Sequence, residues 1–127
     1  MDSLDIGVSD LSNPRAGFTL ACGAGQMRGG FWFEGEPVPP EGEVKVLASA
    51  HPSPLEASGE LYDLFGMKHL EIEDDTFVRA LAQAMAQAGG ATYTLHLVSD
   101  GGAVTEMTFA LDGFGEAARP LRRACGW

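Results

Sequence analysis

Cysteine, histidine, serine and carboxylate side chains carry most of the chemistry a chain can do, so their spacing is read first. The three histidines, His51, His69 and His96, are scattered, with neither the helical nor the two-apart spacing of a metal site. Ser53 and Ser58 lie near His51, but the Gly-x-Ser-x-Gly turn that presents a nucleophilic serine is absent. Carboxylates are abundant, and two groups of them stand close in sequence: Glu34, Glu36, Glu41 and Glu43, then Glu71, Glu73, Asp74 and Asp75. Such groups could supply the paired carboxylates of a glycosidase or an aspartyl hydrolase. The plainer reading is a solvated acidic surface with a capped helix start. No Asp-x-Asp-x-Asp-Gly run marks a calcium loop. Gly23, Ala24 and Gly25, with Gly29 and Gly30 beyond, lack the dinucleotide-binding spacing, and no lysine follows. They read as a hairpin turn. These patterns designate no catalytic residue, no metal ligand and no cofactor.

The only two cysteines are Cys22 and Cys125. Phe18, Leu20 and Cys22 alternate with Thr19 and Ala21, which places Cys22 on the apolar face of a half-buried strand. Two readings are open: unrelated buried thiols, or one disulfide tying the tail to an early strand. A cross-link closing about 100 residues is worth up to ~4.7 kcal/mol in the chain-entropy model. Trp32 lies between Phe31 and Phe33 and so points away from the face those two share. With Trp127, it is a candidate contact surface. Arg119, Arg122 and Arg123 gather near the end of an acidic chain. They suit the negative end of a helix dipole, or a docking patch for an acidic partner.

The elements that must position these residues follow from periodicity. Residues 1–15 are polar and read as a flexible lead-in, and residues 16–127 as a single β-rich domain. Alternation marks strands around 18–22, 27–34 and 44–48, then shorter ones near 60–65 and 67–73. The proline- and glutamate-rich segment 34–42 reads as a stiff exposed loop, and 51–59 as a second loop. Phe77, Leu81 and Met85, four apart after Asp74 and Asp75, predict a helix over 76–88, ended by Gly89 and Gly90. A hairpin follows, with Tyr93, Leu95 and Leu97 facing Met107, Phe109 and Leu111, and Ser99–Gly102 as its turn. A short C-terminal helix spans about 114–124, where Pro120 imposes a late start or a kink. The expected fold is mainly β (α+β): an antiparallel sandwich or strongly curled sheet of six to seven strands with two helices.

The 127 residues carry 8 basic and 18 acidic side chains, a formal net charge of −10. Such a surface repels phosphate backbones, so nucleic acid is not an expected partner. No run approaches the ~18 apolar residues of a membrane span, so membrane insertion is not expected either. The first fifteen residues have neither the basic start nor the apolar run of a secretory leader. Two explanations remain, a cytoplasmic protein or an exported one numbered from after its leader, and the cysteines favour the second.

One resemblance sharpens this. The segment Phe109-Ala110-Leu111-Asp112-Gly113-Phe114-Gly115-Glu116-Ala117-Ala118, closing on Leu121-Arg122-Arg123-Ala124-Cys125, resembles the ending of the invasion-associated locus B family of exported bacterial proteins. The final Ala124-Cys125-Gly126-Trp127 is similar to VasI-type accessory proteins of type VI secretion. Phe18-Thr19-Leu20-Ala21-Cys22 is similar to the family's first strand, with Phe18 where tryptophan is usual. The likeness covers about residues 16–24 and 75–127, and the family's second cysteine pair is missing. It implies export to the periplasm or beyond, an antiparallel β fold and a Cys22–Cys125 bridge, with no catalytic residue to carry over. The expected function is therefore an exported, non-enzymatic binding or accessory module, its partner a protein or cell-wall component. The alternatives are a small hydrolase using a carboxylate pair, or a structural or assembly subunit of an envelope or secretion complex.

Overall fold

The computed structural model describes residues 4–11, 13–34, 40–48, 54–88 and 91–127, without the side chains of residues 4 and 5. Eight strands and three helices follow in the order β1 (Leu4–Ser9), β2 (Ala16–Gly23), β3 (Gln26–Glu34), β4 (Gly42–Ala48), β5 (Leu55–Leu64), β6 (Met67–Ile72), α1 (Asp75–Gln87), β7 (Thr92–Ser99), β8 (Val104–Ala110), α2 (Phe114–Ala117) and α3 (Arg119–Cys125). The strands form one antiparallel sheet in the order β1-β2-β3-β6-β5-β4-β7-β8. The sheet curls until its ends nearly meet. Leu11 N–H donates to the Thr108 carbonyl at 2.8 Å, and Thr108 N–H donates to Asp10 Oδ1 at 3.1 Å.

A mainly β, curled antiparallel sheet is as expected, but it has eight strands rather than six or seven. The extra strand is β1, inside the segment read as a flexible lead-in. Its Ile6 and Val8 alternate with Gly7 and Ser9, but the run is short and ringed by Asp2, Asp5 and Asp10. Strand pairing with β2 decides what propensity does not. Similarly, β5 starts at Leu55, inside the expected loop 51–59. Leu55, Ala57 and Gly59 do face inward in alternation with Glu56 and Ser58, yet two of the three carry little apolar surface.

Alternation sorts each strand into two faces. The inner face collects Phe18, Leu20, Cys22, Met27, Phe31, Phe33, Val44, Val46, Leu61, Leu70, Ile72, Leu95, Leu97, Met107 and Phe109, all buried. Helix α1 lies across that face and presents Phe77, Val78, Leu81, Ala82 and Met85 to it. Asp74 caps α1 by accepting from Phe77 N–H at 3.1 Å. The expected helix 114–124 is two helices broken at Ala118. Pro120 occupies the first turn of α3, where its missing N–H leaves no helical bond unmade. Cys22 and Cys125 are joined in a disulfide, with Cα atoms 6.1 Å apart, so β2 holds the end of α3. Arg79 of α1 fastens the same corner. It pairs with Asp75 at 3.0 Å and donates to the Gly25 carbonyl at 3.1 Å and to the Cys125 carbonyl.

Candidate functional site

The helices fill the inner face, so surface for a ligand is found on the outer one. Across β2, β3, β6 and β5 the register aligns Gly17, Trp32, His69 and Tyr62 in one row. Trp32 points outward because its neighbours Phe31 and Phe33 are buried on the inner face. Its indole lies over Gly17. A Cβ there would come within 2.5 Å of Trp32 Cζ2 and 2.6 Å of the Val8 carbonyl, so only glycine lets the ring down onto the sheet. The Tyr62 and His69 rings stack with centroids 5.8 Å apart and planes 27° from parallel. All three aromatic side chains are half-buried.

The next row toward α1 brings Thr19, Gly30 and Glu71 side by side. Gly30 leaves a gap in the wall. The hollow beside it has a volume of about 360 Å³ and reaches Trp32, His69 and Met67. A second hollow of about 200 Å³ shares Thr19, Gly30 and Glu71 with the first, and continues to Arg28 and Glu73. The two make one shallow groove down the outer face. Tyr62 Oη donates to Glu71 Oε1 at 3.0 Å, fixing the carboxylate at the groove's edge. That bond, with some loss of hydration and the nearby negative charge, raises the Tyr62 pKa above the usual phenol range.

Beyond Tyr62 the β5–β6 hairpin ends in an exposed apolar tip. Phe65 is 97% exposed and Leu64 47% exposed. Phe65 also holds a left-handed backbone, φ 56°, which a bulky side chain rarely adopts. Asp63 and Lys68 brace the tip from below. Asp63 accepts from Gly66 N–H at 3.0 Å, and Lys68 Nζ lies 3.1 Å from Asp63 and 3.0 Å from Glu41. The Gly66 N–H bond first, and the Lys68 ammonium second, hold the Asp63 carboxyl below its ordinary pKa.

Of the contact residues read from the sequence, the structure gathers some and separates others. Trp32 is on the groove. Trp127 is not beside it, and at 8% exposed it is buried rather than presented. The Arg122 guanidinium sits 5.5 Å from its ring centroid, and Arg122 Nε donates to the Trp127 carbonyl at 3.0 Å. The αL turn at Gly126 folds the indole back toward α1, and that turn is why a terminal tryptophan is covered. Arg119, Arg122 and Arg123 are exposed along α3, with Arg122 and Arg123 in its last turn, where the helix dipole favours cations. The sequence offers no contact role for these neighbours: His69 is weighed there only as a metal ligand, Gly30 only within a glycine-rich turn, Thr19 only as an outward strand residue, and Tyr62 not at all. Period-two alternation puts each on the polar face, but only the strand order β3-β6-β5 makes neighbours of them. His51, Ser53 and residues 35–39 of the proline-rich loop lie outside the described residues. Among the described residues no three His, Cys, Asp or Glu side chains cluster as metal ligands, and no helix is long and apolar enough to cross a membrane. No protein-family model, no curated protein and no solved structure matches the chain.

Proposed function

We propose that the protein is an exported binding module of the periplasm or envelope, and that the outer face of β3, β6 and β5 is its contact surface. The observation that carries this reading is the aromatic row Trp32–His69–Tyr62 beside the groove at Gly30. Aromatic rings half-open to water on a rigid sheet contribute less to folding than buried ones and are common recognition elements. The Cys22–Cys125 disulfide supports export, because such bonds persist in oxidising compartments. The likeness to exported accessory proteins points the same way. A second reading, an assembly subunit of an envelope or secretion complex, is favoured by the Leu64–Phe65 tip, which projects apolar surface into solvent.

Co-sedimentation with isolated cell envelopes tests the proposal, using wild-type protein and the Trp32→Ala variant. Wild type pelleting with the envelopes while Trp32→Ala stays in the supernatant, with unchanged circular dichroism, is the expected result. Equal behaviour of the two proteins overturns the assignment of this face. Thiol trapping in fractionated cells tests the compartment: Cys22 and Cys125 free in a cytoplasmic fraction would overturn export.

A further inference from the structure

We infer that the groove binds a glycan chain, of neutral or amine-bearing sugars, laid along β3 with its rings over Trp32. This rests on the reading of the outer face as a contact surface. Along β3 positions Arg28, Gly30 and Trp32 share that face, and the four residue steps between the first and the last span about 13 Å. That length suits a short oligosaccharide rather than a single sugar.

Along this length the lining offers the contacts a sugar makes, a ring to stack on, open space, and hydrogen-bonding groups at the edges. At one end the indole spreads over Gly17, offering a flat surface with an electron-rich face. A pyranose has an apolar face of C–H bonds, slightly positive, which suits such a ring. At the middle, Gly30 removes the side chain that would stand in the path. At the edges stand hydroxyl and carboxylate oxygens. Glu71 accepts from Tyr62 at one oxygen, Thr19 faces it across Gly30, and Glu73, just past the end of β6, lines the same hollow. Acceptors fixed at a rim match the outward hydroxyl donors of a sugar. Arg28 supplies donors at the far end.

Charge narrows the class. Glu71 and Glu73 border the groove, Glu34 ends the strand beyond Trp32, and the whole chain carries −10. Uronic-acid and phosphate-bearing polymers are repelled by such a rim, whereas neutral hexosamines and free amino sugars are not. A protein segment is the rival occupant. It is less suited because the groove is shallow and lacks the deep apolar pocket that a side-chain anchor needs.

The decisive variant fills the groove without disturbing its walls. A Cβ at Gly30 meets its nearest atom, the Leu70 carbonyl, at 3.4 Å, so a side chain starts there without a clash, and Gly30→Leu, its fold checked by circular dichroism, projects into the hollow. Isothermal titration of the full chain with chitotetraose, its partly deacetylated form and oligogalacturonate reads the result. The expected outcome is saturable binding of both chitin-derived probes with a Kd of about 1 mM or tighter. Affinity drops at least about tenfold in Gly30→Leu and in Trp32→Ala, and oligogalacturonate gives no heat. Absence of binding by both chitin-derived probes overturns the glycan inference, as does binding that Gly30→Leu leaves unchanged. If the probes fail while envelope co-sedimentation still depends on Trp32, the groove serves a protein and the contact surface stands. If co-sedimentation also ignores Trp32, the surface itself is wrong.

Discussion

Replacing both Cys22 and Cys125 by alanine removes one covalent tie and two small buried side chains. The bond spans 103 residues of sequence, so it closes most of the chain. For a loop of that size the chain-entropy model gives about 4.7 kcal/mol, and measured losses for native bridges run about 2–5 kcal/mol. The local geometry argues for the middle of that range. Arg79 still holds the Cys125 carbonyl, and Leu121 and Trp127 still pack beneath, so α3 keeps a docking site when the sulfurs are gone. We take about 3 kcal/mol. Unfolding entropy of about 2.1 cal/mol/K per residue gives about 0.27 kcal/mol/K for this chain, hence a Tm lower by about 11 °C. Scanning calorimetry of the double variant, beside wild type with and without reductant, measures it. Reduced wild type should approach the double variant. A fall below about 3 °C would mean that the tail contributes little to cooperative unfolding, and the corner at β2 and α3 would have to be redrawn as a loosely attached appendage.

Three further outcomes follow from local geometry. Phe65→Asn relieves a left-handed backbone at no cost in burial, and should raise stability by about 0.5–1 kcal/mol, or about 2–4 °C in Tm; a lower Tm refutes the strained-tip description. Gly59→Ala drives a Cβ into the Glu71 carbonyl of the neighbouring strand, and should cost about 1–3 kcal/mol in urea unfolding, in contrast with Gly30, where a Cβ starts without a clash. Acid should loosen the α1 corner. Asp75 is held below its ordinary pKa, first by the Arg79 guanidinium and then by the Met27 N–H, and Asp63 is lowered as described above. With folded values below unfolded ones, that stability is complete above the unfolded pKa near 4 and drains as pH falls through the depressed folded values. Wild-type Tm should therefore drop below about pH 4, and Asp75→Asn should be less acid-sensitive than wild type.

The inner face was legible because burial leaves a period in the sequence. Phe18, Leu20 and Cys22, or Leu95 and Leu97 opposite Met107 and Phe109, repeat every second residue and can be paired without coordinates. Helix α1 was legible for the same reason, with Asp74 as its cap. What escaped had weak or misleading side chains. Strand β1 alternates Leu4, Ile6 and Val8 within a polar, aspartate-rich segment, and the first half of β5 hides behind Ala57 and Gly59. Backbone pairing holds both, together with Ile6, Val8 and Leu55 packed against the core, and backbone bonds carry no residue signature. Trp32 was found because it breaks a run of inward phenylalanines. Its partners were not, since β6 inserts between β3 and β5, and strand order is a property of the whole sheet.

That insertion also explains why the groove is where it is. A hairpin of β5 and β6 docked against β3 sets His69 between Trp32 and Tyr62 and Glu71 beside Gly30. Packing of the core does not require these outer residues, because the inner alternation of the same strands already fills the curl with α1. Elsewhere on the exterior, β4 and the first half of β5 carry the polar groups Glu43, Lys45, Glu56 and Ser58, with Leu47 among them. Here instead an indole is accommodated by one glycine and flanked by a gap made by another. Gly17 and Gly30 weaken their strands, since glycine loses more conformational freedom than alanine on ordering. Gly17 admits both the Trp32 ring and the close-lying Val8 carbonyl of β1, and Gly30 leaves the space beside the ring; these two costs on adjacent strands are what the proposal of a contact surface on β3 rests on.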